Sequence, residues 1–206
     1  ATIVATPTAG IAPLTVSLSG AGSTDSDGTI ASYAWVFGDG STASGWFLRN
    51  VRLPARVAEG HSETAYVTGC ALRHLAERGE QPFALHLSYV KPHWPYLAPA
   101  PYHQRYSADD ILPVKKRASE LHNPHPVIAA YMQMEESQTF ARDHVVRQVR
   151  PVYMGLIEQL DHHIGRVLHA LQENGQLEHT LIVFTNDHGD YGGDHHLGEK
   201  DLFHDQ

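Results

Sequence analysis

An aspartate and a histidine, Asp187 and His188, directly follow an apolar run at residues 181–184 and a short polar link. The run contains branched and aromatic residues, which is typical of a strand buried on both faces of a sheet. Ligands and catalytic groups collect at the carboxyl ends of strands in open α/β sheets. Carboxylate and imidazole groups bind divalent metals, so this pair is a candidate metal site. The alternative interpretation is a polar surface loop after a core strand.

Two further residues could contribute to a site with the Asp–His pair. Lys200 ends the glycine-broken loop that continues from the Asp–His pair, and a lysine is a point charge suited to sulfate or phosphate. His93 lies in the sequence Lys-Pro-His-Trp-Pro-Tyr at residues 91–96, after a second strand-like run at residues 82–90. At the mouth of a second core strand, His93 can face the same crevice as the Asp–His pair.

These segments resemble the sulfatases, a branch of the alkaline phosphatase superfamily, and within it the bacterial phosphonate monoester hydrolases and arylsulfatases. The resemblance runs from about residue 47 to the last residue. It is carried by the motif at residues 91–96, Thr-Asn-Asp-His-Gly-Asp at 185–190, His-His-Leu-Gly-Glu-Lys at 195–200 and Leu-Phe-His-Asp at 202–205.

The resemblance implies metal-dependent hydrolysis of a small-molecule sulfate ester, or of a phosphonate or phosphate ester. It implies that Asp187 and His188 are ligands of a divalent metal, with calcium or manganese expected. It also implies that Lys200 holds the substrate oxyanion. His93 matches the histidine that helps the leaving group depart, and an imidazole that titrates near neutrality can supply the proton.

The sequence also departs from the family pattern. The family nucleophile is a formylglycine made from the first residue of a Cys-x-Pro-x-Arg or Ser-x-Pro-x-Arg motif, which these 206 residues lack. The single cysteine, Cys70, is followed by Ala-Leu-Arg and is interpreted as a core residue of a helix. We therefore expect the central part of a sulfatase, incomplete and inactive by itself. A decayed homologue that is retained for binding is an alternative.

Residues 1–45 differ in composition from the rest of the chain. They are rich in Gly, Ser, Thr and Ala and contain neither lysine nor arginine. Alternating runs at residues 14–18 and 32–37 predict strands, and glycine-rich turn signals occur at residues 27–28 and 38–40.

The same segment resembles the first half of a PKD domain, a small extracellular β-sandwich. Val36 stands where that family usually has aspartate. A flexible Gly/Ser-rich leader is the other interpretation of residues 1–45. A non-catalytic extracellular adhesion or carbohydrate-contact module is the functional alternative that this resemblance implies. The residues that carry it lie at 12–17, 22–28 and 33–40.

Helical periodicity predicts two helices in residues 46–206, next to the segments that carry the motifs. One helix is predicted from the N-cap Ser62 to Gly79, and another from Pro151 to Asn174 and Gly175. The apolar stripe of the first helix is expected at Val67, Cys70, Ala71, His74 and Leu75.

Between the two helices, residues 98–150 are interpreted as a long irregular excursion with short helices. Within the second helix, Asp161, His162 and His163 fall off the apolar stripe, so a solvated surface or an interdomain contact is favoured over a ligand cluster. The predicted fold class is therefore α/β for residues 46–206, a partial alkaline-phosphatase-like sheet with flanking helices, after a β-rich segment at residues 1–45.

Composition excludes several function classes. The formal charge of -8 argues against broad nucleic-acid binding, and no apolar run approaches membrane-spanning length. The 16 histidines are mostly scattered singly, and one cysteine excludes an internal disulfide framework. No signal peptide is recognised, so a cytoplasmic location is expected for the sulfatase-like part and an extracellular one for the PKD-like part.

Overall fold

The computed structural model describes residues 4–6, 17–19, 24, 53–79 and 81–200. The chain divides into two compact units, Ala1–Ser44 and Gly45–Gln206. In the first unit, strand β1 (Val4–Thr6) pairs antiparallel with strand β2 (Ser17–Ser19). The predicted strand at residues 14–18 overlaps β2, whereas the predicted strand at 32–37 and both turns lie outside the described residues.

Helix α1 spans Glu63–Glu77 and confirms the predicted first helix. The Ser62 hydroxyl accepts a hydrogen bond from the Ala65 amide at 3.2 Å, which satisfies one of the donors left free at a helix start. Gly79 has a φ of 64°, a left-handed conformation that glycine adopts without strain after a helix.

The buried face of α1 is rotated from the predicted stripe. Its buried residues are Thr64, Thr68, Ala71 and Leu75. His74 is exposed and Cys70 is half-buried. The difference arises because Thr68 gives its hydroxyl hydrogen to the Thr64 carbonyl at 2.8 Å, so two threonines enter the interior without an unsatisfied polar group.

Helix α4 spans Asp143–Glu173 and starts earlier than predicted, since Pro151 lies inside it. A proline has no N–H group to donate to a helical hydrogen bond. It is therefore common in the first turn, where that donor has no partner within the helix, and this preference predicts a start at Pro151. The preceding turns hold because Val145, Val146 and Val149 are buried in the core. The predicted end at Asn174 and Gly175 is confirmed, with Gly175 at a φ of 65°.

The excursion at residues 98–150 contains the expected short helices, α2 (Pro126–Met132) and α3 (Glu135–Phe140). Single-turn 3₁₀ helices occur at Glu59–His61, Tyr102–Gln104, Ala118–Leu121, Leu177–His179 and Asp194–His196. The main core packs the N-terminal half of α4 against α3 and the chain around Tyr96–Tyr102. Its buried members are Tyr96, Ala98, Tyr102, Phe140, Val145, Val146, Val149, Val152 and Leu156.

The two predicted core strands at residues 82–90 and 181–184 are not observed. The described part of the second unit contains no strand. Leu181, Val183 and Phe184 are 90%, 76% and 77% exposed. A strand is defined by hydrogen bonds to a neighbouring strand, and the described residues offer neither run such a neighbour. The first run is partly covered, because Phe83 and Leu87 pack against α1 and α4.

No helix in the described part of the chain is long and apolar enough to cross a membrane.

Candidate functional site

The loop at residues 91–96 is held from inside by a lysine. The Lys91 ammonium donates to the carbonyls of His93 and Pro95 at 3.0 and 2.9 Å. Burial lowers the pKa of Lys91, and the Glu63 carboxylate opposes this shift. The His93 ring hydrogen-bonds the Trp94 carbonyl through Nδ1 at 2.8 Å and lies 5.3 Å from the Trp94 ring. His93 is therefore half-buried and bonded within its own loop.

The loop at residues 189–200 closes on itself above α3 and α4. The amides of Tyr191 and Gly193 donate to the carbonyls of Glu199 and Leu197 at 2.7 and 2.8 Å. The Arg150 guanidinium, from α4, donates to the Gly192 carbonyl at 2.8 Å and to the Asp194 carboxylate at 2.6 Å.

Two glycines let this loop approach the helices. A Cβ at Gly198 would lie 2.6 Å from the Glu136 carbonyl oxygen of α3, and one at Gly193 would lie 2.5 Å from Val146 of α4. Gly193 also has a φ of 104°, which side chains disfavour. The glycine-broken character of the sequence thus reflects close packing of the loop.

Two side-chain pairs join the loops. The buried Tyr96 hydroxyl donates to Asp190 Oδ2 at 2.6 Å. Trp94 interacts with the Glu199 carboxyl group and acts to lower its pKa. Burial raises the pKa of Tyr96, and the adjacent Asp190 carboxylate raises it further. These pairs place the His93 loop beside the segment that carries the other three candidate residues.

Asp187 and His188 lie at the exposed end of this segment. The Asp187 side chain is 84% exposed, and its Oδ2 lies 3.4 Å from His188 Nε2. The His188 amide donates to Asp187 Oδ1 at 2.9 Å, and this bond is the main reason why the pKa of Asp187 is lowered. The ring Nδ1 of His188 hydrogen-bonds the Gly189 carbonyl at 2.8 Å. The two predicted ligands are thus neighbours with an outward-facing carboxylate.

Lys200 lies at the other end of the loop. Its ammonium is 3.9 Å from Glu199 Oε2, and its backbone carbonyl accepts a hydrogen bond from the Tyr131 hydroxyl. Its positive charge adds to the lowering of the Asp187 pKa, and it opposes the burial that raises the pKa of Asp190. The structure therefore places Lys200 within electrostatic range of Asp187, whereas its link to His93 is indirect, through Glu199 and Trp94.

The donor set fits a divalent metal only in part. A carboxylate and an imidazole are suitable ligand types. Within residues 53–79 and 81–200, however, no group of three or more His, Cys, Asp or Glu side chains is arranged to hold an ion. Calcium takes about six to eight oxygen ligands, so Asp187 and His188 by themselves do not complete a site.

The predicted surface position of Asp161, His162 and His163 holds for only part of this cluster. Asp161 and His162 are exposed, and the His162 ring hydrogen-bonds the Tyr102 hydroxyl at 2.7 Å. His163 is buried at 2% exposure, so its assignment to the surface was wrong. The reason is the Glu59 carboxylate, which meets His163 Nε2 at 2.6 Å and satisfies the buried ring.

Sequence reasoning missed four residues that organise the site: Trp94, Tyr96, Asp190 and Glu199. All four lie inside motifs that the resemblance identified, at residues 91–96, 185–190 and 195–200. Position in a motif is the only signal that pointed to them, because pairing between residues about a hundred positions apart has no local pattern.

Comparison with known proteins assigns the family. Residues 35–206 match the sulfatase family model. The chain belongs to the sulfatase family. Residues 2–49 of this sulfatase chain also match the PKD domain family.

Curated relatives match the chain over part of their own length. The chain is 39% identical over 160 residues to the multifunctional alkaline phosphatase superfamily protein PehA of Trinickia caryophylli, a match that covers 70% of this chain and 30% of that protein. It is 28% identical to an arylsulfatase of Clostridium perfringens, over 79% of this chain and 33% of that protein. This sulfatase chain therefore spans about a third of the length of these relatives.

Solved structures agree with the family assignment. The phosphonate monoester hydrolase SpPMH from Silicibacter pomeroyi superposes with a TM-score of 0.70 at 29% identity, over 86% of this chain and 37% of that one. The enzyme of the same name from Agrobacterium radiobacter gives a TM-score of 0.67 at 26% identity, over 75% of this chain and 33% of that one. These neighbours support the predicted sulfatase-type fold, although the described residues contribute its helices and loops.

Proposed function

We propose that this chain supplies the leaving-group and oxyanion-binding side of a hydrolase of sulfate esters, or of phosphonate or phosphate esters. The observation that carries the proposal is the hydrogen bond from Tyr96 to Asp190 at 2.6 Å. It joins the motif at residues 91–96 to the motif at residues 185–190. The names of the relatives, an arylsulfatase and a phosphonate monoester hydrolase, support both substrate classes.

In this proposal the side chains have separate tasks. Lys200 binds the oxyanion of the ester as a point charge. His93 gives a proton to the departing oxygen, and the loop contacts of Lys91 fix the backbone from which the ring extends. Asp187 and His188 contribute two donors to a calcium or manganese site, whose remaining ligands come from residues other than those described.

Turnover tests this assignment. We expect the 206 residues by themselves to give negligible hydrolysis of aryl sulfates, phosphodiesters and phosphonate monoesters, because they contain no Cys/Ser-x-Pro-x-Arg nucleophile motif. Loss of a nucleophile costs several orders of magnitude in rate. Addition of the N-terminal half of a complete relative is expected to restore metal-dependent activity.

The restored activity is expected to fall sharply in His93→Ala and in Lys200→Ala, and to persist in His86→Ala, a control at an exposed position of the preceding segment. Metal-dependent turnover by the 206 residues alone, abolished by His93→Ala, would contradict the incomplete-site interpretation. An inert completed protein would favour the decayed homologue.

The second hypothesis concerns residues 1–45. Their match to the PKD domain family supports the resemblance behind an adhesion or carbohydrate-contact module. Binding of a peptide of residues 1–49 to an oligosaccharide array would test it, and the absence of binding would leave only the hydrolase proposal. The extracellular location implied for this segment stays a prediction.

A further inference from the structure

Glu199 is a buried carboxyl group to which the proposed chemistry gives no task. Its side chain is 10% exposed, and its Oε2 lies 3.9 Å from the Lys200 ammonium. Its Oε1 is buried and has no hydrogen-bond partner among the described residues. An ionised carboxylate with one unsatisfied buried oxygen is costly, whereas a protonated carboxyl group in the same place costs much less.

The surroundings of Glu199 favour its neutral form. Burial is the main influence and raises the pKa of Glu199 to about 7. The carboxylates of Asp190, from the same loop, and of Glu136, from α3, act in the same direction. The Lys200 ammonium opposes them, and so does Trp94 from the neighbouring loop, since both act to lower the pKa of Glu199.

We propose that Glu199 is a positioning residue that controls how strongly Lys200 binds an oxyanion. When Glu199 is ionised, its carboxylate competes for the ammonium group and repels an incoming anion. When Glu199 carries a proton from solvent, the charge of Lys200 is available to the anion. The inference rests on the proposed oxyanion role of Lys200 and adds to it a dependence on the Glu199 proton.

Two consequences follow from the linkage between proton and anion. Oxyanion affinity falls as pH rises through the range in which Glu199 loses its proton. Conversely, anion binding above neutral pH draws a proton onto Glu199. Replacement by glutamine, which is neutral at every pH and has nearly the same shape, fixes the site in its anion-binding form.

Inorganic sulfate is the probe, because it does not change charge between pH 6 and pH 8. The full 206-residue chain is titrated with sulfate at constant ionic strength, with EDTA present to remove divalent metals. Binding is followed by the Trp94 indole resonance in ¹H–¹⁵N spectra, which is assigned with Trp94→Phe. The proteins compared are the wild type, Glu199→Gln and Lys200→Ala.

We expect Glu199→Gln to match the wild type at pH 6 and to bind sulfate about tenfold more tightly than the wild type at pH 8. All other ionisable groups are common to both proteins, so their contribution cancels in this comparison. A purely structural role of Glu199 would change affinity at both pH values alike. Lys200→Ala is expected to lose the binding.

If the ratio of the sulfate affinities of Glu199→Gln and the wild type is the same at pH 6 and pH 8, the inference is overturned and the role of Lys200 is left intact. Absence of any Lys200-dependent sulfate binding would overturn both. If Glu199→Gln does not fold, the wild type decides: calorimetry at pH 8 in buffers of different ionisation enthalpy is expected to show proton uptake with sulfate binding. Absence of proton uptake would also overturn the inference, because Glu199 is expected to gain a proton when sulfate binds.

Discussion

At the residue scale, the Asp190 carboxylate joins two loops by accepting hydrogen bonds at both oxygens. Oδ2 receives the Tyr96 hydroxyl at 2.6 Å, and Oδ1 receives the Gly192 amide at 2.9 Å. Burial raises the pKa of Asp190, while these hydrogen bonds and the charge of Lys200 oppose the shift. The two bonds make a buried acidic group tolerable next to the exposed Asp187.

Tyr96→Phe is expected to lower the free energy of unfolding by about 1–3 kcal/mol, because Asp190 loses a partner while it stays buried. Urea unfolding followed by circular dichroism measures the change. The matched control is Tyr66→Phe, since Tyr66 is 70% exposed. A loss no larger than that of the control would show that the hydroxyl does not support the loop junction.

A second prediction concerns Glu199 and the dependence of the free energy of unfolding on pH. Its pKa of about 7 in the folded protein lies above the usual value of 4.5 for a glutamate, so its contribution to stability is fully present at low pH and is lost as pH rises through 7. Glu199→Gln removes this loss and is expected to be more stable than the wild type at pH 8, by up to about 3 kcal/mol, with a much smaller difference at pH 5.

Chemical unfolding at the two pH values measures the Glu199→Gln effect. Glu178→Gln, at an exposed position, is the control and is expected to have little effect at either pH. Equal destabilisation by Glu199→Gln at pH 5 and pH 8 would mean that Glu199 is ionised and well paired in the folded protein.

At the scale of elements, α4 is the support to which the site loops attach. Arg150 holds the loop at residues 189–200, and Gly155 lies against the 3₁₀ turn Tyr102–Gln104 that follows the His93 loop. A Cβ at Gly155 would lie 2.2 Å from the Tyr102 carbonyl oxygen. The glycine therefore allows the backbone of α4 to touch that of the turn.

Gly155→Ala is expected to destabilise the protein by about 1–3 kcal/mol, because the turn must move away from the helix. Gly165→Ala, in the same helix, has nothing within 4 Å of its added Cβ and is expected to stabilise by about 0.5–1 kcal/mol. Thermal unfolding of both variants measures the contrast. Effects of the same sign would contradict the close approach at Gly155.

At the scale of the whole molecule, the described surface retains one contiguous apolar run at residues 181–184. All four of its side chains are exposed, including Ile182 at 47%. Extended apolar segments without a partner strand tend to associate with other chains. The chain spans about a third of the length of the curated relatives it matches.

Val183→Lys is expected to reduce self-association of the 206-residue chain. Sedimentation velocity over a range of protein concentrations measures it. Leu112→Lys is the matched control, because Leu112 is as exposed, at 80%, but is separate from the run. Equal effects of the two substitutions would indicate general charge repulsion and not association through this segment.

The sequence by itself determined the family and its motifs, the cap of α1 at Ser62 and the C-terminal ends of both long helices. Such features depend on residues within a few positions of one another, so local chemistry is sufficient. The local rule that a proline marks a helix start was wrong for Pro151, which lies inside α4. The rule fails here because the turns before Pro151 pack into the core.

Tertiary structure alone decided the rest. It buried His163 against Glu59, and it brought Tyr96 to Asp190 and Trp94 close to Glu199. Among the residues that the structure describes, it gave the predicted strands at residues 82–90 and 181–184 no pairing partner. Strand pairing and buried polar contacts depend on groups that are distant in sequence, and no local pattern records which groups will meet. The environment that raises the pKa of Glu199 to about 7 beside Lys200 is therefore a property of the folded chain.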